Sequence, residues 1–235
     1  MTLTHNHAQL TATVAEHIAA DAVIQGDYWD PETHKGCFIG CLAHDNNPAA
    51  IEATYGIPVM LTRVAEGIFE ALPADEAREF FAAFPAAVGH DGKDLSRVSW
   101  QFLAQILREL PLQSQVAREA TNVVIAGLGE LANGQSWPGA WAAARAATAA
   151  WAASGAADAD AAYAASDAAT AAGTWAAARA ADAAGRSWSA ADAAAAVASA
   201  AWAAARAASY ADARAYAAAR RRQRDLLLDL IREAQ

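Results

Sequence analysis

The spacing of apolar residues in the first half of the chain predicts a series of short α-helices. From Pro58 to Leu72 they recur at steps of three and four residues, which places them on one buried helix face. The same spacing runs over residues 10–24, 95–110 and 114–131. No segment shows the strict alternation of a half-buried strand. The pattern therefore predicts helices throughout this half.

Proline and acidic residues mark where several of these helices begin. Pro48, Pro58 and Pro73 stand where the first turn of a helix tolerates a missing backbone N–H. Asp75 and Glu76 follow Pro73 directly, and a carboxylate in the first turn interacts favourably with the positive end of the helix dipole. These signals predict separate helices with short connections.

From Ala140 to Ala219 the pattern changes, because alanine takes most positions. The heptapeptide WAAARAA occurs three times in this region, at Trp141–Ala147, Trp175–Ala181 and Trp202–Ala208. Alanine is the best helix former but its methyl group buries little apolar area, so such helices must pack closely. Breaks at 154–155, 173–174 and 185–187 predict four helices in up-and-down order.

The two patterns together predict an all-α protein of two parts. Residues 1–135 form an N-terminal helical subdomain with large core side chains. It packs on a bundle of alanine-rich antiparallel helices formed by residues 136–235, which ends in a leucine-rich helix.

Charge and composition disfavour several functional classes. A formal net charge of −9 over 235 residues argues against general nucleic-acid binding, which needs clustered basic residues; the local exceptions are Arg220, Arg221, Arg222 and Arg224. Charged residues interrupt every long apolar run, so we expect no membrane span. The N-terminus lacks the apolar core of a signal peptide, and two cysteines do not suggest a disulfide-stapled fold. A cytoplasmic protein without a cofactor is expected.

Within the alanine-rich helices, the large side chains are phased on one face. An arginine follows each repeat tryptophan by one turn. The candidate ligand-binding residues are Trp141, Arg145, Trp175, Arg179, Arg186, Trp202 and Arg206. Three interpretations stay open: tryptophans that fill space between helices, a pocket that stacks and neutralises a planar anion, or a surface for a protein partner.

The segment from Asp27 to His44 is the second dense feature. His34, Cys37, Cys41 and His44 have spacings of three, four and three, which superficially resemble a zinc site. On a continuous helix the first and last of them would lie about 15 Å apart, so they could not share one ion. A pair of them could contribute to a metal site completed elsewhere.

Other interpretations of the same segment concern packing and catalysis. Gly36 and Gly40, beside the small cysteines, predict the close approach of another helix. His34 lies one turn before Cys37 and could act as the base for a thiolate. The carboxylates of Asp27, Asp30 and Glu32 allow acid–base chemistry, although such residues also cap helices. His17 is expected on a helix surface.

Three sequence stretches carry a resemblance to a known family. The stretches are HKGCFIGCLAH, EATYGIPVMLTRVAEGIFEALP and GKDLSRVSWQF, followed by the alanine- and tryptophan-rich array that ends in RRQRDLLLDLI. Over residues 28–235 the chain resembles an uncharacterised protein family of bacteriophages, prophages and bacterial genomes. The resemblance implies a phage-linked cytoplasmic protein with a role against host defence, including capture of a nucleotide signal. It assigns no catalytic residue.

We therefore expect a non-enzymatic protein that sequesters a small, anionic, planar ligand, nucleotide-like in chemistry, through its Trp and Arg side chains. One alternative is a metal- or thiol-dependent enzyme that uses the Asp27–His44 segment. The other is a helical interaction or inhibitor protein that docks on a macromolecular partner.

Overall fold

The computed structural model describes residues 3–153, 163–172 and 213–235, together with positions 174, 176, 196, 199–201, 203, 204 and 206. The fold is all-α, as predicted. The chain divides into two compact units, Met1–Val98 with Arg220–Gln235 (unit 1) and Ser99–Ala219 (unit 2). These bounds differ from the predicted subdomains of residues 1–135 and 136–235, because residues 99–135 belong to unit 2 and residues 220–235 belong to unit 1.

Unit 1 is built from helices that follow one another through short connections. They are α1 (His7–Ala19), α2 (Phe38–Ala43), α3 (Pro48–Tyr55), α4 (Val59–Phe69), α5 (Ala74–Val88) and the end of the C-terminal helix (Ala213–Glu233). Between α1 and α2 lie two-residue strands, β1 (Trp29–Asp30) and β2 (Lys35–Gly36), which pair antiparallel. The predicted helix over residues 10–24 ends earlier, and Val23 instead bridges to Gly36.

The short helix α2 lies at the centre of unit 1. It contacts α1, α3 and α4, and all of its residues from Phe38 to Leu42 are buried. The Phe38 ring has no exposed surface and meets four other phenylalanine rings, from α4 and α5. Apolar burial around α2 therefore stabilises this unit.

Local signals predicted from the sequence set the helix ends. The Asn47 side chain accepts a hydrogen bond from the Ala49 N–H at 3.0 Å, and Pro48 occupies the first helical position. Gly56 ends the same helix with φ 69°, a left-handed conformation that glycine adopts without strain. The start of α3 at Pro48 thus agrees with the sequence prediction.

The Lys93 side chain binds the end of the C-terminal helix to the rest of unit 1. This side chain is buried, and its ammonium donates to the carbonyl oxygens of Ile231 at 2.8 Å and Arg232 at 3.0 Å. A cation at the last carbonyls satisfies groups that have no partner within the helix. Burial lowers the pKa of the Lys93 ammonium. The pattern of apolar residues could not reveal this contact, because 138 residues separate Lys93 from Ile231.

The basic cluster near the C-terminus is engaged within unit 1. The Arg221 guanidinium donates to both carboxylate oxygens of Glu76, and Arg224 contacts the same carboxylate at 3.4 Å. Arg220 is buried and donates to the Gln223 side chain at 2.9 Å. The pKa of Glu76 lies below its usual value because of the hydrogen bond from Arg221 and the charges of both arginines.

Unit 2 contains α6 (Val98–Arg108), which begins at the border between the units, α7 (Gln115–Ala132) and α8 (Ala140–Ala153). Residues 163–172 are also helical. Helix α8 packs against α7, and its buried face consists of Ala140, Ala143, Ala144, Ala147 and Ala150. This close packing of alanines agrees with the sequence-based expectation. Among the described helices, none has the length and apolar character needed to cross a bilayer.

Candidate functional site

The first repeat of the alanine-rich region lies on α8, where its two large side chains are exposed. Trp141 is 47% exposed, and Arg145, one turn later, is also exposed. Neither makes a side-chain hydrogen bond or ion pair to a described residue. Because alanines fill the opposite face, this Trp–Arg pair points away from the α7 interface. In this repeat the tryptophan does not fill space between helices.

Of the other predicted ligand-binding residues, the structure describes Arg206. Trp175, Arg179, Arg186 and Trp202 lie outside the described residues. Arg206 is helical and exposed. An exposed Trp–Arg pair is therefore observed in the first repeat, and in the other two repeats the pair stays a sequence-based prediction.

The segment from Asp27 to His44 does not form the continuous helix that the spacing argument assumed. Strand β1 turns at residues 31–34, where the Asp30 carboxylate accepts from the Glu32 N–H at 2.8 Å and the Thr33 hydroxyl at 2.6 Å. His34 has a left-handed backbone with φ 54°, which ends any helical path at that position. Helix α2 begins only at Phe38. The sequence prediction missed this hairpin because each strand has only two residues.

Gly36 and Gly40 do permit a close approach, but not of another helix. A Cβ atom on Gly40 would lie 1.2 Å from the carbonyl oxygen of Tyr28, and one on Gly36 would lie 2.3 Å from the same atom. The backbone before β1 therefore rests directly on α2. The Cys37 N–H also donates to the Asp27 and Tyr28 carbonyls, at 2.8 Å and 3.2 Å.

This approach brings three histidines around one tryptophan. Trp29 stacks on His44 with 4.4 Å between ring centroids, while His17 lies 5.8 Å and His34 6.0 Å from the Trp29 ring. His17 is buried and its Nδ1 lies 2.8 Å from the Thr13 carbonyl oxygen. The expectation that His17 lies on a helix surface is wrong, because the hairpin folds back over α1.

The acidity of His44 reflects this environment. Desolvation lowers the pKa of His44, the nearby His17 and His34 lower it further, and Glu16 opposes them. A lowered pKa in the folded protein means that the unfolded chain binds the proton more readily. The contribution of His44 to stability is therefore complete above pH 6.5, its ordinary pKa, and is lost as the pH falls through the lowered value.

We expect the His44→Phe variant to lose less stability than the unaltered protein when the pH falls from 7.5 to 5.5. Phenylalanine retains a ring that stacks on Trp29 but cannot take a proton. Urea unfolding at both pH values measures this difference. The backbone at residue 44 is left-handed, with φ 54°, and any strain that phenylalanine adds there is the same at both pH values and cancels. An equal pH dependence in the two proteins would contradict the assignment.

The two cysteines are buried thiols. The Cys37 thiol donates to the Glu66 carboxylate at 3.9 Å, and burial raises its pKa to about 11. The Cys41 thiol donates to the Gly36 carbonyl at 3.2 Å, and burial raises its pKa to about 12. His34, predicted as the base for Cys37, contacts Trp29 instead. Both thiols therefore stay protonated at neutral pH, which disfavours attack by a thiolate.

The four residues whose spacing resembles a zinc site contact different parts of the fold. The two cysteines contact Glu66 and Gly36, while His34 and His44 contact Trp29. Among the described residues, no three His, Cys, Asp or Glu side chains converge as metal ligands. The superficial zinc pattern thus arises from residues with separate packing roles.

A polar cluster on α4 was not predicted as a candidate site. Arg63 donates to the Glu66 carboxylate at 2.7 Å and to the Tyr28 hydroxyl at 3.2 Å, and its guanidinium lies 5.9 Å from the Tyr28 ring centre. Glu70 accepts from the Gly26 N–H at 2.9 Å, and burial with the charges of Glu66 and Asp27 raises its pKa. The spacing of Arg63, Glu66 and Glu70 on one helix face could have indicated this cluster.

Comparisons of the chain with protein-family models, curated proteins and solved structures yield no match.

Proposed function

We propose that this protein is a non-enzymatic binding protein that holds a small, planar, anionic ligand on the Trp–Arg pairs of its alanine-rich helices. One observation carries the proposal. On α8 the alanine face packs inward, while Trp141 and Arg145 are exposed one turn apart. A surface helix that exposes a tryptophan and an arginine one turn apart offers both an aromatic face and a cation.

The two side chains supply complementary contacts to such a ligand. The indole face stacks on a planar ring, a contact typically worth about 1–3 kcal/mol for a nucleobase. The guanidinium pairs with a phosphate or carboxylate through charge-assisted hydrogen bonds. The sequence repeats the pair at residues 175 and 179 and at residues 202 and 206, so we extend the proposal to those positions, with Arg186 as a further cation.

The resemblance to phage and prophage proteins guides the choice of ligand. Host defence systems that signal through nucleotides would supply a ligand with both a planar base and a negative charge. We therefore propose sequestration of a nucleotide signal as the biological role.

The thiol enzyme is the weaker alternative. Its nucleophile would be Cys37 or Cys41, and burial raises the pKa of both thiols far above neutral pH. A macromolecular partner remains the second candidate, because a half-exposed tryptophan beside an arginine also has the composition of an interface hot spot.

Binding of AMP to the full chain tests the proposal by isothermal titration calorimetry. We expect AMP to bind more tightly than adenosine, which lacks the charge, and than ribose 5-phosphate, which lacks the ring. Trp141→Ala and Arg145→Ala are each expected to weaken AMP binding about tenfold, the loss of roughly 1.4 kcal/mol.

Arg97→Ala is the matched control, since Arg97 is an exposed arginine in unit 1 with no contact to a described residue. It should bind AMP like the unaltered protein. Native mass spectrometry of protein purified from its host should also show a bound mass, lost in Arg145→Ala. Absence of AMP binding, with one stoichiometric protein recovered in a pull-down that Trp141→Ala abolishes, would favour the macromolecular partner instead.

A further inference from the structure

A second candidate binding site lies in unit 2, away from the Trp–Arg pair. A groove of about 330 Å³ runs between the end of α6, the connection that follows it, and the first turns of α7. Its aliphatic lining consists of Leu107, Leu110, Leu112 and Ile125, and its polar lining consists of Arg108, Arg118 and Asn122. A concave surface that combines apolar side chains with a few convergent polar groups is common among small-molecule sites.

One of the two arginines is held in position by the backbone. The Arg118 Nη1 donates to the carbonyl oxygens of Leu112 at 3.1 Å and Gln113 at 2.8 Å. These bonds use the two N–H groups of one nitrogen, so Nε and Nη2 retain their donors. A guanidinium that is already oriented loses little side-chain entropy when it binds an anion.

The second arginine, Arg108, supplies a further cation to the groove. Arg108 is exposed and makes no hydrogen bond or ion pair within the described part of the chain. The two carboxylates nearest in sequence have glutamine partners: Glu109 accepts from Gln105 at 3.1 Å, and Glu119 accepts from Gln115 at 2.7 Å. Neither glutamate lines the groove. The groove therefore has a net positive lining in an otherwise acidic protein.

We propose that this groove binds a short aliphatic carboxylate. The hydrocarbon tail lies on the leucine and isoleucine side chains, and the carboxylate accepts hydrogen bonds from Arg118 and Arg108. The volume, near the lower end of the range for small-molecule pockets, suits a medium-length chain. None of the groove residues is aromatic, which sets its ligand class apart from the planar ligand proposed for Trp141 and Arg145.

Titration of the full chain with octanoate tests this site by calorimetry. We expect octanoate to bind at least about tenfold more tightly than octanol, which lacks the charge, and than acetate, which lacks the tail. Raising the salt concentration from 50 to 500 mM should weaken octanoate binding and leave octanol binding unchanged, because only the charge contact is screened.

Arg108→Ala is the most informative variant, because removal of this arginine breaks no contact within the described residues. It is expected to weaken octanoate binding about five- to tenfold. Leu112→Asn should weaken it similarly by removing apolar contact. Arg118→Ala requires a circular dichroism spectrum as a check on folding, since Arg118 also holds the connection before α7.

The controls separate this site from the Trp–Arg pair. Arg97 lies one residue before α6 and about 16 Å along the helix from Arg108, so Arg97→Ala should leave octanoate binding unchanged. Arg145→Ala should also leave it unchanged while it weakens AMP binding. No octanoate binding, or equal affinities in Arg108→Ala and the unaltered protein, would overturn the proposal.

Discussion

Replacement of Gly40 by alanine is expected to lower the free energy of unfolding of the full chain by at least about 3 kcal/mol. The new Cβ atom would lie 1.2 Å from the Tyr28 carbonyl oxygen. That oxygen belongs to the backbone, so no side-chain rotation relieves the overlap. The segment before β1 would have to move away from α2, and with it the hydrogen bonds that Asp27 and Tyr28 accept from Cys37.

Gly129→Ala is the matched control for this prediction. Gly129 also lies inside a helix, α7, and a Cβ atom there would have no neighbour within 4 Å. Because alanine has the higher helix propensity, this variant should gain about 0.5–1 kcal/mol. Urea unfolding followed by circular dichroism compares both variants with the unaltered chain. If Gly40→Ala behaved like Gly129→Ala, the close approach of Tyr28 to α2 would be wrong.

Truncation of Phe38 to alanine should cost about 3–5 kcal/mol of stability, which is the range for a buried phenylalanine. The Phe38 ring lies 5.0 Å from Phe84, 5.5 Å from Phe81, 5.8 Å from Phe80 and 6.1 Å from Phe69, measured between ring centroids. Its removal would leave a cavity shared by α2, α4 and α5, and these helices cannot all close on it at once.

A graded series distinguishes cavity formation from a general effect of mutation. Phe38→Leu retains most of the apolar volume and should cost clearly less than Phe38→Ala in the same urea titration. Val123→Ala, at an exposed position of α7, should change the stability by no more than about 0.5 kcal/mol. Equal losses for Phe38→Leu and Phe38→Ala would contradict the central role assigned to this ring.

Both predictions concern the segment that carries the sequence motif KGCFIGC. The structure assigns its residues to packing: Gly36 and Gly40 admit the Tyr28 backbone, Phe38 fills the centre of unit 1, and the two thiols are buried. A motif dense in cysteine and glycine thus stabilises a hairpin on a helix.

The helices of the first half could be predicted from the sequence because their signals are local. The predicted helix from residue 114 to 131 is observed as Gln115–Ala132, with Ser114 as its N-cap. The predicted helix over 95–110 is observed as Val98–Arg108. An apolar period of 3.6 residues and a capping residue act within a few turns, so a single sequence contains both.

The histidine cluster and the groove could not be predicted, because they depend on contacts between distant residues. His17 reaches Trp29 and His44 only because a hairpin of two-residue strands turns the chain back over α1. The groove depends on the connection after α6, where Arg118 binds backbone carbonyls of residues 112 and 113. Side-chain periodicity contains no information about such backbone contacts.

The sequence by itself determined that the protein is all-α, where several of the described helices of the first half begin, and that Trp141 and Arg145 share one face of an alanine-rich helix. These properties follow from helix propensity and from the period of the helix. The tertiary structure alone decided that the α8 alanines pack inward, that Cys37 and Cys41 are buried, that the C-terminal helix completes unit 1 through Lys93, and that Arg108 and Arg118 line one groove. Burial and long-range hydrogen bonds decide these points, and both depend on which distant segments the fold brings together.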